Sequence, residues 1–118
     1  MNADKTIFCD IDGTLVKHVP PDESALPSFK MTLLPNAMEN LLDWNRKNYT
    51  IILTTGRKES QREITIKQLQ EVGIFYDHLI MGLGRGTRVI INDKKIDGEN
   101  TAMSINLERN KGFANINL

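Results

Sequence analysis

The stretch TIFCDIDGTL, residues 6–15, carries the strongest indication of the fold. Its first half is apolar and β-branched, which predicts a buried strand over residues 6–10, and Gly13 lets the backbone turn after it. Asp10 and Asp12 therefore stand one residue apart at the carboxyl end of a strand. Two carboxylates with several loop carbonyls and amides suit a hard divalent cation and a phosphate beside it. The alternative interpretation is a strand followed by an ordinary Asp-Gly turn.

Outward from this stretch, hydrophobic patterns typical of strands and helices alternate along the chain. Apolar, β-branched runs predict further strands over residues 49–54, 76–81, 88–92 and 101–107. Apolar residues at helical spacing predict helices over residues 36–47 and 58–72. Between the first strand and the first helix, a proline-rich stretch predicts a short hairpin flap at about residues 15–34.

This alternation predicts an α/β fold. Right-handed parallel crossovers lead to a three-layer, Rossmann-like, open and mostly parallel sheet with helices on both faces. In such sheets, ligands bind beyond the carboxyl ends of the strands. Asp10, Thr55 and Asp93 each follow or close a predicted strand. The sequence thus brings three candidate site residues to one edge of the sheet.

Length and composition narrow the function classes. With 118 residues, a single domain over 1–118 is expected. Fifteen basic and fifteen acidic residues cancel, which favours neither a nucleic-acid groove nor an anionic membrane surface. No apolar run approaches a membrane span and the N-terminus lacks a signal-peptide pattern, so a cytoplasmic protein is expected. The single cysteine, Cys9, excludes an internal disulfide and is interpreted as a packing residue rather than a nucleophile.

Four segments in order resemble one enzyme superfamily. They are DIDGT (10–14), IILTTGR (51–57), a glycine-rich turn containing Arg85, and RVIINDK (88–94). This order is similar to that of the haloacid dehalogenase superfamily of phosphatases and phosphotransferases. The resemblance covers roughly residues 6–95, most of the chain.

The resemblance implies a mechanism and assigns residues to it. Asp10 would be the nucleophile that forms an aspartyl-phosphate, and Asp12 the general acid and base. Mg²⁺ would be held by Asp10, the main-chain carbonyl of Asp12, and Asp93. The pattern places the hydroxyl residue directly before Gly-Arg, so Thr55, with the amide of Gly56, would bind the phosphate. Thr54 is the alternative and is expected to face the opposite side of its strand.

The basic residue that completes such a site is usually a lysine, and here Arg85 has about the right position. Arg88 and Lys67 are its rivals, and an arginine makes different contacts from a lysine. Asn92 also stands where many members carry a second acid. Arg57 is interpreted either as a substrate contact or as a solvated arginine at a helix start.

The short flap resembles that of capless members, which have an open site and often form oligomers. A small phosphate ester such as a sugar phosphate is therefore the expected substrate, and a homo-oligomer is a further expectation. Three alternatives stay open. A receiver-like signalling domain would need its acceptor Asp on the middle strand, where this chain has Thr55. A non-catalytic relative would explain the departures at Arg85 and Asn92. A polynucleotide end-phosphatase would suit the open site, although neutral charge and few aromatic residues argue against a nucleic-acid track.

Overall fold

A parallel sheet of three strands carries the Asp10–Asp12 segment at its edge. The structure is a computed structural model and describes residues 4–114 and 116–118. Its elements are β1 (Thr6–Asp10), α1 (Pro21–Ser24), α2 (Ala37–Arg46), β2 (Thr50–Thr54), a 3₁₀ helix (Glu59–Gln61), α3 (Arg62–Glu71) and β3 (His78–Ile80). The strands lie in the order β1-β2-β3 and all pair in parallel. The predicted α/β class is therefore confirmed.

The sheet has one buried and one open face, as the alternation of side chains requires. On β1, Ile7 and Cys9 are buried, whereas Phe8 on the opposite face is 54% exposed. Ile51 and Leu53 of β2 continue the buried face. The register pairs Ile7 with Ile51 and Cys9 with Leu53, so the buried side chains form continuous rows across the two strands.

Helices α2 and α3 cover this buried face. Leu41 and Trp44 of α2 and Leu69 of α3 belong to the same core cluster as the buried strand residues. Both connections step in the same direction along the sheet, and right-handed crossovers then place both helices on the same side. The prediction of helices on both faces is thus wrong for the described residues. None of their helices is long and apolar enough to cross a membrane.

The flap between β1 and α2 is a hairpin at its base and a helical turn at its tip. The Lys17 amide donates to the Thr32 carbonyl at 2.9 Å, and the Leu34 amide donates to the Leu15 carbonyl at 2.9 Å. The tip contains the single turn of α1, which begins with Pro21 at its first position. The expected hairpin is therefore confirmed at its base, and α1 was not predicted.

Residues 84–106, which we call the arm, contain no strand. Strands were predicted over 88–92 and 101–107, but the arm has no sheet pairing. Its turn is closed by the Lys95 amide, which donates to the Glu99 carbonyl at 2.9 Å, and by the Thr101 hydroxyl, which donates to the Asp93 carbonyl at 2.6 Å. Local β-branched sequence favours extended backbone, but a strand is stable only when a neighbouring edge pairs with it.

The exposure of the arm leads to a stability prediction. Ile91 is 91% exposed, whereas Leu53 in β2 is fully buried. We expect Leu53→Ala to lower the free energy of unfolding by about 2–5 kcal/mol, because it leaves a cavity in the core. Ile91→Ala should change it by no more than about 0.5 kcal/mol. Denaturant unfolding of both variants checks this, and equal losses would mean that the 88–92 segment is packed inside the protein.

Candidate active site

The loop after β1 curls around a single carbonyl group. The Ile11 carbonyl accepts hydrogen bonds from the amides of Thr14, Leu15 and Val16 at 3.2, 2.9 and 3.2 Å. Gly13, at φ +90°, adopts a left-handed conformation that favours glycine, and its amide donates to the Val16 carbonyl at 2.7 Å. This coil turns the chain back immediately after β1, so Asp12 stays close to Asp10.

Asp10 stands at the end of β1 with its carboxylate partly desolvated. Thr14 donates its hydroxyl to Asp10 Oδ2 at 3.1 Å. Burial raises the pKa of Asp10 above its usual value, and the charge of Asp12 adds to this rise. The Thr14 hydrogen bond, a backbone hydrogen bond at Ile11 and the charge of Arg88 lower the pKa in part. The net effect is a carboxylate that is less stabilised than one in water, as suits a nucleophile.

Asp12 is held by a residue whose role the sequence left open. Arg57 Nε donates to Asp12 Oδ2 at 3.0 Å and Arg57 Nη2 donates to Oδ1 at 2.9 Å, a bidentate pair. The Arg57 side chain is only 7% exposed and that of Asp12 20%. Arg57 is therefore not a solvated arginine, because its guanidinium group forms an ion pair with Asp12. The sequence offered one indication of this contact. Arg57 lies in the loop after β2, at the same edge of the sheet as Asp12.

Arg57 also links Asp12 to the flap. Arg57 Nη1 donates to Gln68 Oε1 at 2.7 Å and to Thr65 Oγ1 at 3.3 Å. Gln68 Nε2 in turn donates to the Ser24 carbonyl of α1 at 2.8 Å. Thr65 and Gln68 are buried together with Leu69, so the inner face of α3 is partly polar. The apolar pattern of α3 did not reveal this, because polar residues occupy core positions there and satisfy one another.

The two threonines that close β2 have different surroundings. Thr55 is 1% exposed, and its hydroxyl accepts a hydrogen bond from the Arg57 amide at 3.1 Å. Thr54 pairs with Asp10 across the sheet, and paired residues share a face. The expectation that Thr54 faces away from the site is thus wrong. A hydroxyl that accepts one hydrogen bond still has a proton to donate, so Thr55 keeps its candidate role.

Gly56 lies at a close approach of two chain segments. A Cβ atom at this position would lie 3.1 Å from the Leu83 carbonyl oxygen. The crossing segment is fixed by two hydrogen bonds, from the Leu83 amide to the Thr55 carbonyl at 3.2 Å and from the Gly82 amide to the Arg57 carbonyl at 2.7 Å. The arm therefore leaves the domain directly beside the end of β2.

The three candidate basic residues, Arg85, Arg88 and Lys67, are all exposed, and they differ in their relation to Asp10. Arg85 is exposed and makes no hydrogen bond or ion pair within the described part of the chain. Arg88 is near enough for its charge to lower the pKa of Asp10, although burial of Asp10 has the larger, opposite effect. Its Nη1 donates to the carbonyls of Gly84 and Gly86, the latter at 2.8 Å. Lys67 on α3 is exposed.

Asp93 lies on the arm and is not brought together with the other two carboxylates. Within residues 4–114 and 116–118, no three histidine, cysteine, aspartate or glutamate side chains are grouped closely enough to hold a metal ion. Asp93 therefore does not form such a group with Asp10 and Asp12. The reason is the missing strand over 88–92, which would have ended at Asp93.

Cys9 has the environment of a packing residue. Its side chain is 5% exposed and belongs to the core cluster. Burial raises the pKa of the Cys9 thiol to about 12, and the charge of Asp10 adds to the rise. A thiol with such a pKa is protonated at neutral pH and is not a nucleophile, in agreement with the sequence interpretation.

Two residues near the C-terminus reach the site, and no sequence pattern indicated them. The Asn110 amide donates to the Gly13 carbonyl at 2.9 Å, and Asn110 Oδ1 accepts from the His18 amide at 2.7 Å. Arg109 lies against Gly13, where an added Cβ would be 3.2 Å from Arg109 Cγ. Since these contacts join residues about 90 positions apart, only the tertiary structure reveals them.

No protein-family model matches the sequence, and no curated protein matches it significantly. Among solved structures, a chain of the Pnkp1/Rnl/Hen1 complex is 28% identical with a TM-score of 0.57, over 73% of this chain and 30% of that chain. A chain of the Pnkp1/Rnl/Hen1 RNA repair complex is 28% identical with a TM-score of 0.56, over 72% and 27%. This chain thus spans under a third of the length of those two.

A third structure is more distant. It is D,D-heptose 1,7-bisphosphate phosphatase from B. bronchiseptica, complexed with magnesium and phosphate, at 18% identity and a TM-score of 0.44. The match covers 69% of this chain and 51% of that one. At that level the likeness carries no argument about function. The two likenesses with the higher TM-scores show that a region of each of those chains has a fold similar to this one.

Proposed function

We propose that the protein is a Mg²⁺-dependent phosphomonoester hydrolase of the haloacid dehalogenase type. The observation that carries this proposal is the pair of carboxylates at the end of β1, which have different surroundings. Asp10 is exposed to solvent, and among the described side chains only that of Thr14 donates a hydrogen bond to its carboxylate. Asp12, in contrast, forms an ion pair with Arg57. Two carboxyl groups with different environments are suited to different roles in one reaction.

In the proposed reaction, a carboxylate oxygen of Asp10 attacks phosphorus and the bond from phosphorus to the leaving oxygen breaks. Asp12 donates a proton to that oxygen, so the alcohol leaves neutral. Asp12 then accepts a proton from a water molecule, which attacks the phosphorus of the aspartyl-phosphate. Inorganic phosphate is released and the carboxylate of Asp10 is restored. The covalent intermediate divides one difficult displacement into two easier ones.

The phosphate oxygens need positive charge and hydrogen-bond donors around them. Arg88 is the proposed cationic group, in place of Arg85, because its charge acts on Asp10. Thr55 and the amide of Gly56 are the proposed neutral donors at the end of β2. Arg57 is a positioning residue in this scheme, since it contacts Asp12 rather than the substrate.

The residues present fit Mg²⁺. This ion is commonly held by one or two carboxylates together with water and substrate phosphate oxygens. Asp10 has carboxylate lone pairs available, whereas each side-chain oxygen of Asp12 accepts a hydrogen bond from Arg57 and keeps one lone pair for proton transfer. Asp12 would therefore contribute its main-chain carbonyl. When bound, the ion reduces the repulsion between the carboxylates and the phosphate.

Asp93 is the proposed third ligand, and it would have to approach Asp10 by a movement of the arm. Supporting this role, Asp93 directly follows a segment with the composition of a strand, and the arm begins beside β2. We expect Asp93→Asn to raise the Mg²⁺ concentration for half-maximal activity by about tenfold. At saturating Mg²⁺ its kcat should be near that of the parent.

Titration of activity with Mg²⁺ measures this effect. Asp97→Asn is the matched control, because Asp97 is an exposed aspartate on the same arm. The Asp97→Asn titration should overlay that of the parent. A Mg²⁺ requirement that is the same in the parent and in Asp93→Asn would remove Asp93 from the proposed ligand set.

A second candidate function is the removal of a phosphate from a polynucleotide end. The likeness to chains of the Pnkp1/Rnl/Hen1 complexes, one of which is named an RNA repair complex, supports this candidate. Composition favours the first candidate, a small ester such as a sugar phosphate, because the net charge is zero. The reaction at Asp10 is the same for both substrate classes.

The testing experiment measures phosphate release with Mg²⁺ and with a chelator. The substrates are an aryl phosphate, sugar phosphates, mononucleotides, and oligonucleotides with a phosphate at the 5′ or the 3′ end. We expect release that requires Mg²⁺, and the ranking of kcat/KM separates the two candidates. Mg²⁺ binding without release from any substrate would contradict the proposal and support a phospho-ligand-binding protein.

A further inference from the structure

Arg109 lies beside the loop that follows β1 and contains Asp12 and Gly13, which we call the acidic loop. The backbone around Arg109 is fixed by hydrogen bonds. The neighbouring Asn110 makes two hydrogen bonds, to the Gly13 carbonyl at 2.9 Å and from the His18 amide at 2.7 Å. These bonds join the segment after the arm both to the acidic loop and to the flap. The position of Arg109 relative to Asp12 and Gly13 is therefore set by contacts on two sides.

The side chain of Arg109 passes over the bare backbone of Gly13. A Cβ at Gly13 would lie 3.2 Å from Arg109 Cγ and 3.8 Å from Nε. A side chain at this position would thus displace the arginine stem. Arg109 is exposed, and its guanidinium group makes no hydrogen bond or ion pair with any residue that the structure describes. It differs in this from Arg57, whose donors are used by Asp12, Gln68 and Thr65.

The location of Arg109 relates it to the leaving group rather than to the reacting phosphorus. In the proposed reaction Asp12 protonates the leaving oxygen, so the leaving group lies on the Asp12 side of Asp10. Gly13 follows Asp12, and Arg109 lies against Gly13. A guanidinium group with free donors binds phosphate oxygens in a fork geometry. If the leaving group carried no charge, the guanidinium donors of Arg109 would bind water instead of the substrate.

We propose that Arg109 binds a second phosphate, carried by the leaving group of the substrate. This inference rests on the proposed hydrolase activity and adds a specificity-determining residue to it. A second phosphate occurs in two kinds of substrate with the same local chemistry. One is the phosphodiester next to the terminal phosphate of an oligonucleotide, and the other is the second ester of a bisphosphorylated sugar.

The test compares Arg109→Ala and Arg109→Lys with the parent on three substrates. These are an aryl phosphate, a sugar bisphosphate and an oligonucleotide with a terminal phosphate. For a substrate with a second phosphate, Arg109→Ala should raise KM about tenfold or more, the scale of a lost charge-assisted contact, with little change in kcat. The aryl phosphate should keep both constants, and Arg109→Lys should restore part of the loss. The substrate that responds identifies the source of the second phosphate.

Arg46→Ala is the control, because Arg46 is an exposed arginine of α2 outside the site. KM values that rise equally for all three substrates, or for none, would overturn the inference. If no substrate were hydrolysed, the proposed function would fail separately. Binding of a fluorescent oligonucleotide with a terminal phosphate and of a sugar bisphosphate would then decide, since Arg109→Ala should weaken the binding of one of them about tenfold. Unchanged binding of both would refute the role of Arg109.

Discussion

Asp10→Asn should abolish phosphate release and leave a folded protein that resists heat better than the parent. The loss of turnover follows from removal of the nucleophile, which an amide cannot replace, and should exceed about 10³-fold in kcat. The gain in stability follows from the surroundings of Asp10. Burial raises the pKa of its carboxyl in the folded protein, so ionisation of Asp10 opposes folding.

The sign of the pH dependence follows from this raised pKa. Asp10 contributes stability below the pKa that it has in the unfolded chain, and this contribution is lost as pH rises through the higher folded pKa. At pH 7 the folded state carries the cost of a partly desolvated charge, and asparagine removes it. The difference in melting temperature between Asp10→Asn and the parent should therefore be positive at pH 7 and shrink at about pH 3.

Thermal unfolding at the two pH values, together with phosphate release, checks both parts. Asp4→Asn is the control, because Asp4 is an exposed aspartate just before β1. It should keep full activity and show no comparable gain in stability. Parental turnover in Asp10→Asn would eliminate Asp10 as the nucleophile, whereas a lower melting temperature at pH 7 would contradict the burial argument.

The activity of the parent should also depend on the ionisation of Asp10. A nucleophilic carboxylate must be ionised, and burial raises its pKa in the folded protein. At Mg²⁺ concentrations well below saturation, where most of the free enzyme carries no ion on Asp10, the acid limb of the kcat/KM profile should therefore lie above about pH 4, the ordinary value for an aspartate. A limb at or below that value would contradict the assignment.

Arg57→Met should cost both stability and activity. The Asp12–Arg57 pair is largely buried, and removal of one partner leaves a carboxylate without its counter-charge. Losses of this kind amount to about 3 kcal/mol in the free energy of unfolding. Arg46→Met is the matched control, because the Arg46 side chain is 76% exposed, and it should change stability by no more than about 0.5 kcal/mol.

The effect of Arg57 on activity should appear in kcat. Arg57 orients Asp12, which acts on the leaving oxygen in the transition state, so kcat should fall about 10²-fold with little change in KM. Arg57→Lys should recover only part of the loss, since one ammonium cannot reproduce the contacts to Asp12 and Gln68.

A double-variant cycle separates positioning from a general structural effect. If Arg57 acts through Asp12, Arg57→Met should lower kcat much less in an Asp12→Asn background than in the parent. Equal losses in both backgrounds would show that Arg57 acts independently of Asp12. Denaturant unfolding and steady-state kinetics of the four proteins supply the measurements.

The local elements were predictable to different degrees. The predicted strand over 6–10 coincides with β1, and the predicted helix over 36–47 contains α2 (Ala37–Arg46). In both, one stretch of chain holds a complete pattern of buried and exposed residues. The strand predicted over 88–92 has an equally suitable sequence, but it finds no neighbouring edge. Composition selects extended backbone, and pairing depends on residues far away in the chain.

The candidate site divides in the same way. The positions of Asp10 and Asp12 at the end of β1 were predictable because strand ends can be recognised locally. Thr55 and Gly56 were assigned through the resemblance, and the roles of all four residues stay predictions. The burial of Arg57 was not foreseen, because its partner Asp12 lies 45 residues away. Thr65 and Gln68 were hidden for a related reason. Their polar side chains are compatible with the core only because Arg57 and the Ser24 carbonyl satisfy them.

The sequence by itself determined the acidic loop after β1, the alternation of strands and main helices from β1 to β3, and the α/β class. These depend on hydrophobic period and turn chemistry, which act over a few neighbouring residues. Only the tertiary structure decided that Arg57 forms an ion pair with Asp12 and that the Arg109 side chain packs against Gly13. It also decided that Asp93 forms no three-carboxylate group with Asp10 and Asp12. Contacts between groups distant along the chain depend on how all the elements pack together, and no local pattern specifies them.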